Sequence, residues 1–204
     1  MSKNVDVISM SFTIISLEED RKLKLALQDA GEKGIVILCS THDEGSKVAK
    51  AWPADHEGEY VLVVGACDEL GRALSQVDTD KCTRLLLGQN VAAGVIPFLE
   101  PNDRITGSSV ATALAAGLSS LTLSCDRMAD AKRDAVRNQD NRAFVDSVRR
   151  CFKEMVSREG SKFVDLDKFG KMDQRVLGQA VNAKDIIFGD WTTKFTSGAK
   201  IGEK

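Results

Sequence analysis

Apolar and polar positions alternate too little in this chain for exposed sheets, and the pattern instead sets short apolar runs between helical stripes. Val5-Asp-Val-Ile-Ser-Met-Ser-Phe12 is a β-rich run. Ser16-Leu-Glu-Glu19 has capping-box spacing, with Glu19 placed to reach back to Ser16. Leu23, Leu27 and Ala30 follow at helical spacing, and Gly31 and Gly34 mark the stop. Ile35-Val-Ile-Leu-Cys39 and Tyr60-Val-Leu-Val-Val-Gly65 are continuous apolar runs, the pattern of strands covered on both faces of a parallel sheet. Arg84 to Val91 predicts a further strand that turns at Gly88. Polar Ser40 to Glu59 and the Gly/Pro-containing Ala93 to Asp103 predict loops.

The stretch from Ile105 to Cys125 carries no charge and is rich in Ala, Leu and Ser. It predicts a buried helix whose small side chains admit close neighbours, with Ser108 or Ser109 at the N-cap or first turn. A serine there has its hydroxyl near converging N–H groups and the positive end of the helix dipole. Its length also suits a membrane span. The Ser/Thr content, the lack of a flanking Lys/Arg cluster, and Ala113 and Gly117 at small-xxx-small spacing favour soluble packing. Asp126 to Gln139 is strongly charged with a weak apolar face. Ala143 to Ser157 is amphipathic, with Phe144, Val145, Val148, Cys151, Phe152 and Met155 on one stripe suited to packing on a sheet. Beyond Gly160 the chain is lysine-rich, with a helical turn expected at Val176 to Val181.

Strand, helix and strand within the first forty residues form a βαβ unit with a right-handed crossover. The fold expected is therefore α/β with a mostly parallel sheet. Two segments are expected: residues 1–125 around the sheet, and a charged helical tail over 126–204.

Composition narrows the function classes. A net charge of −2 gives no global attraction to nucleic acid or to a membrane, so neither is expected as a partner. The N-terminus has no signal-peptide core, which points to the cytoplasm. Cys39, Cys67, Cys82, Cys125 and Cys151 are odd in number and set in apolar strings, so reduced buried thiols are expected. No CxxC or His-rich spacing marks a metal site, and neither G-x-G-x-x-G after a strand nor G-x-x-x-x-G-K-[ST] marks a nucleotide site. No metal and no cofactor is expected.

Gly107-Ser-Ser-Val-Ala-Thr-Ala113 resembles Gly-Thr-Ser-Met-Ala-x-Pro, the nucleophile motif of the subtilisin-like serine peptidases. It departs from the motif at Ser108, Val110 and Ala113. Other elements follow in family order. Val5 to Phe12 resembles the strand that pairs with extended substrate. Cys39-Ser-Thr-His-Asp-Glu-Gly45 is similar to Ala-Gly-Asn-Glu-Gly, and Leu87-Gly-Gln-Asn-Val91 to Pro-Gly-x-x-Ile. The wording around Ser109 most resembles fungal intracellular members. The resemblance implies a partial subtilisin-like three-layer fold with a helical C-terminal extension. It implies Ser109 as nucleophile, Ser11, Phe12 and Thr13 as the wall of a peptide cleft, and a polypeptide substrate or ligand. Thr13 stands where the family usually has Gly and would crowd bound peptide. Asp43 falls at the oxyanion-hole asparagine.

The chemistry implied is then incomplete. A serine hydroxyl needs a base, and the base needs an orienting acid. The resemblance places both partners before Val5, outside this sequence. His42 and His56, the two histidines present, lie in the loop after the second strand and are expected to be solvated there. Asp43 is also readable as a turn residue, and an ionised aspartate accepts hydrogen bonds where an oxyanion hole must donate them. Two readings lead: a serine endopeptidase of which this is one part, inactive alone, or a catalytically dead relative that binds peptide. A nucleotide-binding α/β domain is a distant third. A sheet lacking its early strands would leave an edge open to association with another chain.

Overall fold

A computed structural model describes residues 5–14, 20–43, 51–55, 60–92, 103–129, 143–156, 158 and 160–166. The Ser16 capping box, His56, most of the 126–139 segment, the side chain of Phe144 and the turn expected at Val176 to Val181 lie outside the described residues.

Four strands form one parallel sheet: β1 (Val7–Met10), β2 (Val36–Ser40), β3 (Val61–Cys67) and β4 (Arg84–Leu87). Their spatial order equals their chain order, with Val7 opposite Val36, Ile37 opposite Val61 and Val64 opposite Arg84. β2 and β3 are buried at every position, which is why their sequences do not alternate. Helix α1 (Asp20–Glu32) crosses between β1 and β2 and packs on one face over Met10, Ile37, Cys39 and Val63. It ends between the two glycines expected to stop it, and closes through Gly34 N–H to Gly31 C=O at 3.0 Å and Ile35 N–H to Ala30 C=O at 3.1 Å.

The other face carries α2 (Ser108–Ala129) and α3 (Ala143–Glu154). Val145, Val148, Cys151, Phe152 and Met155 join Leu38, Leu62, Val64, Leu86, Ala111, Ala115 and Leu123 in one cluster. The stripe on α3 thus packs toward the sheet, as its spacing indicates. The result is the expected α/β arrangement of three layers, with helices on both faces of a parallel sheet. A two-stranded antiparallel pair, β5 (Val91–Ala92) and β6 (Arg104–Ile105), leads into α2.

Helix α2 differs from the sequence expectation. It is buried on one side only. Ala111, Thr112, Ala115, Leu118, Ser119, Thr122 and Leu123 face inward, while Ala113, Gly117, Ser120, Leu121 and Ser124 are exposed. Polarity does not mark the boundary because the hydroxyls satisfy themselves. Thr112, Ser119, Ser120, Thr122 and Ser124 donate to carbonyls four residues earlier, at 2.8 to 3.0 Å. Ser108–Cys125 is long and apolar enough to cross a membrane by length and composition alone, yet half of it is buried inside the protein.

The two sheet edges differ. Beyond β4, Leu85 N–H donates to Lys162 C=O at 2.8 Å and Val164 N–H to Leu85 C=O at 2.9 Å. Among the described residues no strand pairs with the outer edge of β1.

Candidate active site

Parallel strands bring their C-terminal ends to one rim, and the loops leaving that rim converge. Here Ser11 to Thr13 follow β1, Thr41 to Asp43 follow β2, and Gly88 follows β4. Backbone bonds tie the rim together. Gly88 N–H donates to Cys67 C=O at 3.0 Å, and Gly107 N–H donates to Gly88 C=O at 2.8 Å. A Cβ on Gly88 would stand 2.6 Å from Ala66 Cβ and 2.8 Å from Gly107 O, so only glycine permits this approach. Gly107 has φ 149°, a conformation that also favours glycine, and its carbonyl accepts the first helical N–H groups, from Val110 and Ala111. The helix therefore opens at Gly107, with Ser108 and Ser109 as its first residues.

The two serines have opposite environments. Ser108 is fully buried and its hydroxyl works in both directions. Ser108 Oγ accepts from Ala66 N–H at 3.0 Å and donates to Asp43 Oδ1 at 2.5 Å. Ser108 N–H donates to Asp43 Oδ2 at 2.8 Å. Ser109 is exposed, and its side chain and N–H make no hydrogen bond among the described residues. Its carbonyl accepts from Ser11 Oγ at 3.3 Å. Phe12, 52% exposed, follows immediately, and Thr13 is half-buried. The residues the sequence singled out, Ser11, Phe12, Thr13, Asp43 and Ser109, thus meet at one rim.

Asp43 sits there as an acceptor. Both of its oxygens take hydrogen bonds from Ser108, and its charge lies against the positive end of α2. The point at which a Gly107 Cβ would stand is 3.3 Å from Asp43 Oδ2 and 3.5 Å from Ser109 Oγ, so the carboxylate borders the ground beside Ser109.

His42 corrects the sequence reading. It is 4% exposed, and among the described residues neither ring nitrogen has a hydrogen-bond partner. The polar run predicts a loop from Ser40, but β2 extends through Ser40 and Thr41 N–H continues the pairing to Val64 C=O at 2.9 Å. Ser40, Thr41 and His42 are therefore drawn into the sheet's end and buried. The cysteines match expectation: all five are free and buried. Burial pushes the thiols of Cys39 and Cys67 up to about 12 and that of Cys82 to about 11, so they are neutral and poorly nucleophilic near neutral pH. No group of His, Cys, Asp and Glu able to hold a metal occurs among the described residues.

Sequence reasoning missed the bridging role of Ser108. The retained hydroxyl at the motif's threonine position was the available signal, since a buried hydroxyl needs partners.

No known family's sequence profile matches the chain. It is similar to the subtilisin-like protease het-Q2 of Podospora anserina, 24% identical over 132 residues, covering 62% of this chain and 36% of that protein. The chain thus spans about a third of that curated relative's length. Among solved structures it resembles the PatG macrocyclase domain, with a TM-score of 0.56 and 22% identity over 90% of this chain and 52% of the other. It also resembles a chain from subtilase cytotoxin SubAB, with a TM-score of 0.56, 16% identity and coverage of 80% and 57%. The protease domain of PatA gives a TM-score of 0.54 at 18% identity, with coverage of 79% and 57%. The chain carries a subtilisin-like fold, and its sequence is similar to that of a subtilisin-like protease.

Proposed function

We propose that this chain forms the nucleophile side of a subtilisin-like site, with Ser109 at the nucleophile position, and that alone it holds extended polypeptide without cutting it. The observation that carries this reading is Asp43. An acyl-transfer site must donate hydrogen bonds to the oxyanion that develops, and each lost donor costs about 3–4 kcal/mol of transition-state stabilisation. At the position the resemblance assigns to that donor, the chain has a carboxylate already accepting twice from Ser108. It brings negative charge toward the place where negative charge would form. Ser109 Oγ also has no base bonded to it among the described residues.

Peptide retention rests on the rim beside β1. Ser11 ties that strand's end to Ser109, and Phe12 projects apolar surface next to it. An extended peptide is the ligand that a strand end with exposed flanking side chains accommodates. The outer edge of β1 is a further place where another strand could pair.

The exposure of Ser109 favours a second reading. Completed by Asp and His segments, the same rim would belong to a serine endopeptidase whose Ser109 is already accessible.

Fluorescence anisotropy with labelled unstructured peptides tests the first reading. Binding that survives Ser109→Ala and weakens in Phe12→Ala, with the peptide recovered intact, supports retention. Cleaved peptide, or binding indifferent to Phe12, contradicts it.

A further inference from the structure

The rim segment Ser11 to Thr13 is fixed at both ends. At one end Ser11 Oγ donates to Ser109 C=O at 3.3 Å. At the other, Ile14 and Trp52 exchange both backbone bonds in an antiparallel bridge, each N–H donating to the other residue's C=O at 2.9 Å. Ile14 follows Thr13 directly, so whatever holds Trp52 sets where this segment ends.

Trp52 is held by a turn built on Asp55. Asp55 N–H donates to Ala51 C=O at 2.8 Å, and Ala51 N–H donates back to Asp55 Oδ2. Ala51 is fully buried and Trp52 is 9% exposed, so the turn is set into the protein. The Asp55 carboxylate then meets Lys81, whose Nζ donates to Oδ1 at 2.9 Å and to Oδ2 at 3.2 Å. Lys81 is itself fixed to the sheet. Buried Cys82 follows it, then Thr83, whose N–H donates to Val63 C=O at 2.8 Å and whose Oγ1 accepts from Val63 N–H at 3.1 Å. One chain of contacts thus runs from β3 through Lys81, Asp55 and Trp52 to Ile14 and the rim.

The pairs Lys33–Asp29 and Arg72–Asp68 link residues four apart. Lys81–Asp55 joins segments 26 residues apart, and its side chains are mostly covered, at 25% and 19% exposure. Exposed ion pairs contribute little, but a covered one is screened less by salt. A binding segment held in its bound shape loses less freedom when a ligand pairs with it, and the difference appears as affinity.

We propose, on the peptide-holding reading above, that Asp55 and Lys81 are positioning residues: their ion pair holds Trp52, and through it the Ser11 to Thr13 segment, in the shape that takes a peptide.

The test uses the 204-residue protein, with labelled unstructured peptides read by fluorescence anisotropy and folding checked by circular dichroism. Asp55→Asn and Lys81→Met should each weaken binding about three- to tenfold in protein that stays folded, and the double variant should be no weaker than the worse single one. Lys81→Arg keeps the charge and should bind as the wild type does. With Trp191→Phe leaving Trp52 as the one tryptophan, Lys81→Met should move Trp52 emission to longer wavelength, and saturating peptide should reverse the shift. Should Asp55→Asn not fold, Lys81→Met, which leaves the turn's own bonds in place, carries the test. Folded variants that bind as tightly as the wild type overturn the proposal and leave peptide retention standing. Lys81→Arg binding no better than Lys81→Met overturns it too, since charge would then not hold the turn. Wild-type protein that binds no peptide contradicts the retention reading itself, and the positioning role falls with it.

Discussion

Asp43 and Ser108 are joined twice, the serine giving its N–H to one carboxylate oxygen at 2.8 Å and its hydroxyl to the other at 2.5 Å. This pairing spans 65 residues and pins the loop after β2 to the first turn of α2. The same contact explains why the helix begins where it does and why the rim beside Ser109 is an acceptor surface. A residue positioned to stabilise a helix N-terminus with both oxygens has no donor left to offer an oxyanion.

Removing either partner of that pair should cost stability. Ser108→Ala orphans the Ala66 N–H and leaves Asp43 short of a donor, so a loss of about 1–3 kcal/mol is expected. Asp43→Ala should cost about 1–2 kcal/mol. Because the two losses share bonds, the double variant should cost less than their sum. Urea midpoints of the four proteins measure the coupling, and strict additivity would show that the contact carries no energy.

Ser109→Ala, one residue further on, should change stability by no more than about 0.5 kcal/mol. Its side chain is exposed and makes no hydrogen bond among the described residues. A large loss in the same urea series would mean that Ser109 is structural.

Gly88→Ala should destabilise by about 1–3 kcal/mol or prevent folding, since the new methyl would meet Ala66 and the Gly107 carbonyl. Circular dichroism during thermal unfolding reads this directly. An unchanged melting temperature would mean that the rim yields more readily than its close contacts indicate.

On α2 two leucines two residues apart should respond differently. Leu123 is 1% exposed, and Leu123→Ala should cost about 2–5 kcal/mol. Leu121 is 42% exposed, and Leu121→Ala should cost well under about 1 kcal/mol. Equal costs would show that something covers the outer side of the helix.

The buried thiols give a pH dependence with a defined sign. Cys39 and Cys67 have folded pKa values raised from 9.0 to about 12, so folding favours their protonated form. Their contribution is fully present below pH 9 and is lost as pH rises toward 12, because the unfolded chain releases those protons first. Stability measured by denaturant titration should fall over that window, less steeply in Cys39→Ser. Thiol-specific reagents at pH 8 should label the native protein slowly and all five cysteines after unfolding.

What was legible in the sequence follows from how burial writes itself there. β2 and β3 are covered on both faces, so Ile35 to Cys39 and Tyr60 to Gly65 read directly as parallel strands. The Gly-Ser-Ser wording located the start of α2 and, with Ser11 and Asp43, the rim. Where polar residues are buried, the reading failed. Thr41 and His42 looked like loop because hydrophilic composition suggests water, yet pairing to β3 carried them inward. On α2, hydroxyls bonded four residues back made inner and outer faces alike in polarity. The contacts of Ser108 with Ala66 and Asp43 join distant segments, so no local pattern announces them.

The central claim is that Ser109 sits in a family nucleophile position without being activated in this chain. Labelling of the purified 204-residue protein with a serine-reactive fluorophosphonate tests it most directly, with Ser109→Ala and heat-unfolded protein as controls. The account predicts no labelling of the native protein above the Ser109→Ala background. Labelling of the native protein that disappears in Ser109→Ala would contradict it, because an activated serine requires a base and a donor that the Asp43 rim does not supply.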